Sequence, residues 1–207
     1  MPSMTLIVPA AVVLLALIWL IANYNAMVRL RQQCRESWSG IDTELRRRYD
    51  LIPNLVETVK GYATHERQVL QSVVEARNRA VASTGSPAEQ AVDENTLVRA
   101  VRQLFAVAEG YPDLKASRNF LALQHELANT EDRIQAARRF YNANVRDLNT
   151  RIEVFPSSLV AGLFGFRPEQ FFEIEDALVR QPPAVDLAGT RPGSAGGDDR
   201  GRETPMG

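Results

Sequence analysis

The amino-acid sequence predicts an all-α protein in which a single N-terminal transmembrane helix is followed by an antiparallel bundle of long helices and a disordered C-terminal tail. Three observations predict this class. Residues 4–22 form an apolar run that contains no charge. Beyond this run, apolar residues recur every three or four positions, as they do on the buried face of a helix. No segment shows the alternation of apolar and polar residues that is typical of strands.

Composition narrows the organisation of the chain. At 207 residues it has room for one domain with appendages. We expect a short outer tail and a transmembrane anchor over residues 1–22 and a helical domain over residues 23–180. Residues 181–207 are rich in Pro, Gly, Ala and Asp, which predicts a disordered tail. The formal net charge of −1 gives no basic excess, so no nucleic-acid partner is expected.

The apolar run reads MTLIVPAAVVLLALIWLIA. As a helix it would be roughly 28 Å long, close to the ~30 Å hydrocarbon core of a bilayer. A cleaved signal peptide is the alternative. However, no Lys or Arg precedes the run, and no small-x-small cleavage site follows it. The sequence therefore favours an uncleaved anchor that binds the lipid bilayer through residues 4–22.

Basic residues close to the anchor predict its orientation. Arg29, Arg31 and Arg35 follow the apolar run, whereas only the terminal amine precedes it. Under the positive-inside rule, most of the chain then lies in the cytoplasm, on the inner side of the membrane that holds the anchor. The opposite orientation of a signal anchor is the alternative.

Pro53 suggests where the first helix ends. Helical spacing continues from the anchor to about Asp50. Pro53 lacks an N–H and disfavours the helical conformation at Ile52, so we expect the helix to end or kink there. Reversal of the chain at Pro53 is the expectation, and a kink without reversal is the alternative. A second helix then runs to about Ala82.

The third and fourth helices have clearer signals. Ser86, Pro87 and Glu89 fit a capping box with proline at the first helical position, and the third helix should stop at Gly110. The fourth helix should end at Phe155-Pro156, and its length and periodicity are typical of a helical bundle or a coiled coil. Its apolar stripe consists of Phe120, Leu123, Leu127, Thr130, Ile134, Ala137, Tyr141, Val145, Leu148 and Ile152.

The segment 157–172 allows two interpretations. In an up-down-up-down bundle that begins at the membrane, the fourth helix returns to the membrane side. The apolar stretch SSLVAGLFGF would then reach the bilayer surface. It either dips into the interface or folds against the base of the bundle, and both interpretations remain open at this point.

The residue types that usually carry chemistry form no recognisable site. His65 and His125 are each followed by glutamate, but neither begins an HExxH motif. The single cysteine, Cys34, and Ser37 have no histidine nearby in sequence. The carboxylates are best explained as solvated or paired groups, for example Asp50, Glu57, Asp113, Glu126 and Asp132. We therefore expect no catalytic residue, no cofactor-binding residue, no metal ligand and no cofactor.

Two arginine clusters, Arg46-Arg47-Arg48 and Arg138-Arg139, suggest pairing between helices. Three consecutive helical residues sweep about 200° of the circumference, so they cannot all face water in the same direction. One arginine of the first cluster is expected to reach an acidic residue on a neighbouring helix. A patch for a protein partner is the second interpretation.

The sequence resembles the LemA family of bacterial membrane-anchored proteins. The resemblance is carried by ESWSGIDTELRRRYDLIPNLVETVKGYATHE (36–66), YPDLKASRNFLALQHELANTEDRIQAARRFYN (111–142) and FPSSLVAGLFGF (155–166). It implies one N-terminal transmembrane segment, long antiparallel helices and a reversal at Pro53. The family has no established enzymatic activity and no agreed functional residues, so the resemblance assigns a role to no residue.

Together with the resemblance, these observations favour a non-catalytic scaffold or adaptor that is anchored in the inner membrane of a bacterium and has protein partners that the sequence does not identify. Two alternatives stay open. One is a membrane-remodelling module that forms homo-oligomers through the fourth helix. The other is an accessory subunit of a membrane enzyme.

Overall fold

The architecture is taken from a computed structural model that describes residues 2–174, with side chains from Ile7 onward. No strand occurs among residues 2–174, and the predicted all-α class is confirmed. The predicted disordered tail, 181–207, lies outside the described residues. The helices are α1 (Pro2–Lys60), α2 (Arg67–Ala82), α3 (Pro87–Ala108), α4 (Pro112–Lys115), α5 (Arg118–Glu153) and α6 (Ser157–Phe164).

Helix α1 contains both the apolar N-terminal run and the first helix of the bundle. It is unbroken over 59 residues, which corresponds to a length of roughly 88 Å. Its first part is long and apolar enough to cross a membrane. Side chains there, such as Val12, Leu15 and Ile18, are more than half exposed, unlike those of a core helix. From Met27 onward, one face of α1 is buried in the bundle.

The expected reversal at Pro53 is wrong, because α1 passes through Pro53 and ends at Lys60. The chain reverses over residues 61–66 instead. Pro53 cannot donate to the carbonyl of Tyr49, four residues earlier. Arg77 of α2 replaces the missing donor, since its Nε donates to the Tyr49 oxygen at 3.2 Å. The exposed proline ring and this donor from another helix allow the helix to continue.

The long helices form an antiparallel bundle. Helix α2 returns along the distal half of α1, and α3 runs back beside α2. Helix α5 then lies antiparallel to α1 over most of its length. Two hydrogen bonds fix that register: Asn144 Nδ2 donates to Ser37 Oγ at 3.1 Å, and an Arg151 guanidinium nitrogen donates to Asn23 Oδ1 at 2.8 Å.

The predicted start of α3 and the predicted stripe of α5 are both confirmed. The Ser86 hydroxyl accepts from the backbone N–H of Glu89, and the Glu89 carboxylate accepts from the backbone N–H of Ser86. Every residue of the α5 stripe is buried or half-buried. The packed face of α5 is therefore the one that the periodicity predicts.

Helix α6 packs against the base of the bundle, next to the end of the apolar run. Val160 and Ala161 are buried with Met27 of α1. The Phe164 ring lies 4.8 Å from that of Tyr24. The other side of α6 faces outward. The inner side of α6 therefore folds on the bundle, which is one of the two interpretations of this segment. The outer side of α6 is not covered by any other part of the described chain.

Candidate functional site

A buried ionic network lies in the middle of the bundle and joins three helices. Arg48 of α1 is fully buried. One of its terminal nitrogens donates to Glu131 of α5 at 3.0 Å, and the other donates to Glu94 of α3. The hydroxyl of Tyr49 donates to the second carboxylate oxygen of Glu94. This is the pairing between helices that the arginine cluster predicts, and Arg48 is the residue that makes it.

The other two arginines of the cluster remain on the surface. Arg46 binds Asp42 at 3.0 Å and Arg47 binds Glu44 at 3.3 Å, both within α1. Exposed pairs of this kind contribute only about 0–1 kcal/mol. Of the three arginines, Arg48 is therefore the one whose charge connects α1 to other helices.

The charges of the network stabilise one another. Burial alone would lower the pKa of Arg48, but the carboxylates of Glu94 and Glu131 raise it above its usual value. Burial, and then the neighbouring Glu94, raise the pKa of Tyr49, so this side chain stays neutral and remains a donor. The network has no exposed member, and it includes neither a nucleophile nor a histidine. Its geometry suits the alignment of α1, α3 and α5 and offers no route for a substrate.

A segment after α6 without regular secondary structure, residues 166–174, is held by side chains of α5. We call it the held segment. Asn142 forms two hydrogen bonds with the backbone of Phe172, donating to its oxygen and accepting from its N–H, each at 3.0 Å. Asn149 forms the same pair with Glu169 at 2.9 Å. Since Asn142 and Asn149 are seven residues apart, they lie on the same face of α5.

Further contacts complete this arrangement. The hydroxyl of Tyr141 donates to the oxygen of Gln170 at 2.8 Å. The Phe172 side chain is fully buried, and its ring packs on Trp38 and within the main core. Helices α2 and α3 lie along the distal half of α1, so the held segment supplies cover for the proximal half of the α1–α5 pair. Sequence reasoning missed the role of the asparagines, which resemble ordinary solvated residues of a long helix.

An open cleft of about 680 Å³ lies between α1 and α2. Asp42, Arg46 and Arg77 are among the residues that line it. The hydroxyl of Ser83, also at the cleft, donates to Asp93 at 2.7 Å, and no histidine lines the walls. The cleft therefore presents charged groups and a hydroxyl bound to a carboxylate, without the histidine that commonly activates such a hydroxyl as a nucleophile.

The residues weighed as candidate chemical groups are not brought together. His65 and His125 are exposed, and His125 Nδ1 lies 3.1 Å from Asn129 Nδ2. Among the described residues there is no group of three or more His, Cys, Asp or Glu side chains placed to hold a metal ion. Burial raises the pKa of the Cys34 thiol to about 11, which leaves it protonated and weakly nucleophilic at neutral pH.

Comparison with known proteins gives relatives that are named as magnetosome proteins and as LemA. The chain is 23% identical over 183 residues to the magnetosome protein MamQ of Magnetospirillum gryphiswaldense, covering 76% of this chain and 67% of the relative. It is 26% identical over 144 residues to the protein LemA of Metamycoplasma hominis, covering 68% of this chain and 64% of the relative. Together with the long apolar part of α1, these relatives indicate a membrane-associated helical protein.

A sequence model of the LemA family matches residues 37–187. The matched region contains the ionic network, the reversal after Lys60, the whole of α5 and the held segment. Since this is well over half of the sequence, the chain belongs to the LemA family.

Proposed function

We propose that this protein is a non-catalytic scaffold or adaptor, anchored in the cytoplasmic membrane of a bacterium with its helical bundle on the inner face. The observation that carries the proposal is the continuity of α1, which is a single helix from the apolar run to Lys60. A bundle built on such a helix has no flexible linker between itself and the bilayer. Its distal end would stand roughly 57 Å beyond Ala22.

The interior of the bundle also favours a structural role. Its centre is filled by packed apolar side chains and by the Arg48 network, and the cleft on its surface is open. Binding energy for a partner would then come from the outer faces of the helices. Val74 and Val81 of α2 are exposed, and their spacing of seven residues places them on one face. We therefore expect a protein partner to bind this face of α2.

Photo-crosslinking in cells tests the adaptor role. A photoreactive amino acid at Val74 or Val81 should give adducts with a small set of other proteins, identified by mass spectrometry. The matched control carries the same probe at Phe140, an exposed apolar residue on α5. Adducts that differ between the two faces would support a specific partner. No protein adduct at any exposed position would contradict the adaptor role, and adducts only with a second copy would favour an oligomerising module.

A second test concerns orientation. Lys60 is exposed at the distal end of α1, and Cys34 is buried and slow to react. The Lys60→Cys variant should therefore be labelled by a membrane-impermeant maleimide only after the cells are opened, whereas Ser3→Cys should be labelled on intact cells. The reverse pattern would place the bundle outside the cytoplasm.

A further inference from the structure

The outward side of α6, together with the turn before it, presents a set of large apolar side chains to the surroundings. Phe155 is 75% exposed, Leu159 65% and Leu163 70%, and Val154 is also more than half exposed. We call these four residues the outer ridge. Leu159 and Leu163 are four residues apart and share one face of α6, opposite the buried Ala161. Within the described chain, no element covers this face.

The height of the outer ridge along α1 is fixed by contacts on either side of it. Arg151, near the end of α5, binds Asn23 of α1 at 2.8 Å. Beyond the ridge, the Phe166 ring lies 5.7 Å from that of Tyr24. The turn and α6 therefore lie beside the first turns of α1 that follow Ala22. Because α5 runs toward the membrane at this point, Val154 continues past the level of Asn23 toward the apolar run.

The surroundings at this height are those of a membrane interface. Tyr24 of α1 packs beside α6, and Trp19 lies five residues earlier in α1. The amphipathic rings of tryptophan and tyrosine are favoured in the headgroup region. The guanidinium carbon of Arg31 lies 5.0 Å from the centre of the Phe166 ring, so a positive charge lies beside the segment that follows α6. The side chains of the span just before this height, such as Ile21, are apolar and exposed.

We propose that α6 and the turn before it form a second contact with the bilayer, in which the outer ridge lies in the interface of the leaflet on the bundle side. The occupant of this apolar face is a lipid surface, because the anchor holds the face at the height where a bilayer ends. The inference rests on the membrane anchor of the proposed function and is independent of the adaptor role. With two contacts, the anchor cannot rotate freely about its own axis, so the bundle faces in a defined direction.

Such a contact is that of an interfacial helix. An apolar face of this kind is buried about 5–10 Å into the boundary between headgroups and acyl chains. The contact also explains why Leu159 and Leu163 are exposed. They are not part of the packing of α6 on α1, which is made by Val160 and Ala161. A second copy of the chain could cover the outer ridge instead of lipid, and fluorescence quenching by lipid distinguishes these two occupants.

The test uses the full chain, reconstituted in vesicles of phosphatidylcholine and phosphatidylglycerol, with an environment-sensitive fluorophore on one introduced cysteine. The variants are Leu163→Cys on the outer ridge, Val13→Cys in the apolar run and Val92→Cys on α3. Val92 is a matched control because it is an apolar side chain, 63% exposed, and far from the anchor. Far-UV circular dichroism verifies that each variant keeps its helices.

The proposal predicts that the fluorophore at position 163 has blue-shifted emission and loses about half of it to lipids that carry a quencher near the headgroup end of the acyl chain, as expected for a side chain at interfacial depth. The probe at position 13 should be quenched by lipids that carry the quencher deeper, and the probe at position 92 should be unaffected.

If the probe at position 13 is quenched while the probe at position 163 behaves like that at position 92, the second contact does not exist and the anchor stands. If neither is quenched, the anchor itself fails, and the inference fails with it. A blue shift at position 163 that grows with the ratio of protein to lipid, without quenching by lipid, would show that a second copy covers the ridge. That result would also overturn the proposal.

Discussion

Replacing Arg48 by methionine tests whether the ionic network holds three helices together. Arg48 is fully buried and binds both Glu94 and Glu131. The Arg48→Met variant keeps much of the side-chain volume but leaves two carboxyl groups in the core without a cation. Removing one partner of a buried ion pair costs about 3–5 kcal/mol. In a chain of this size 1 kcal/mol shifts Tm by about 2–4 °C, so we expect Tm to fall by roughly 6–20 °C.

The assay is thermal unfolding of the full chain in mild detergent, followed by far-UV circular dichroism. Arg47→Met is the matched control, because Arg47 is exposed and pairs only with Glu44 of its own helix; it should cost no more than about 1 kcal/mol. A combined variant, Arg48→Met with Glu94→Gln and Glu131→Gln, should recover much of the lost stability, since no charge is then left unpaired.

An Arg48→Met variant that melts within about 2 °C of the unmodified chain would refute the assignment of Arg48 as the residue that holds the three helices together.

Other parts of the structure give three smaller predictions. Asn142→Ala removes both hydrogen bonds to the backbone of Phe172, so the Phe172 amide should exchange with deuterium about 10- to 100-fold faster; unchanged exchange would show that Asn142 does not hold the segment. Burial raises the pKa of Cys34 to about 11, so the stability provided by the neutral thiol is present below about pH 9 and lost as the pH rises toward 11; Cys34→Ala should remove about 1–2 kcal/mol of this pH dependence in urea unfolding. Pro53→Ala and Arg77→Ala should be coupled by about 0.5–1.5 kcal/mol in a double-mutant cycle, and additive effects would contradict the role of Arg77 as the replacement donor.

Elements decided by local chemistry could be predicted from the sequence. The capping box at Ser86 and Glu89 needs only residues three apart, and the structure forms both of its hydrogen bonds. The stripe of α5 depends on periodicity alone, and it is the face that packs. The pairing of one arginine of the cluster followed from geometry, but the choice of Arg48 depends on which side of α1 faces α3 and α5. That rotation is a property of the assembled bundle.

The continuation of α1 through Pro53 depends on a partner distant in sequence. Proline removes one hydrogen bond from the helix, and local reasoning expects the chain to turn. In the folded protein, Arg77 donates to the freed carbonyl of Tyr49, although the two residues are 28 positions apart in the sequence. Nothing in the sequence around Pro53 indicates that donor. Tertiary structure overrides the local preference here, as it often does for helix propensity.

The held segment could not be predicted for a related reason. Asn142 and Asn149 are polar residues beside an apolar stripe, and such residues usually face water. Their partners are backbone groups 20 to 30 residues further along the chain, in a segment with no regular secondary structure. Backbone hydrogen bonds carry no sequence signature. The clearest hint was Phe172, a large apolar residue beyond the last predicted helix.

In our proposal one rigid helix carries both the membrane span and the bundle, and a distance measured across their junction distinguishes this arrangement from a hinged one. Spin labels would be placed on the exposed positions Ile21 and Arg46 by Ile21→Cys and Arg46→Cys, with Cys34 buried and unlabelled. For a continuous helix, double electron–electron resonance in lipid nanodiscs should give one narrow distribution centred at roughly 38 Å. A broad distribution, or one centred at clearly shorter distances, would show a hinge below the bundle and contradict the account.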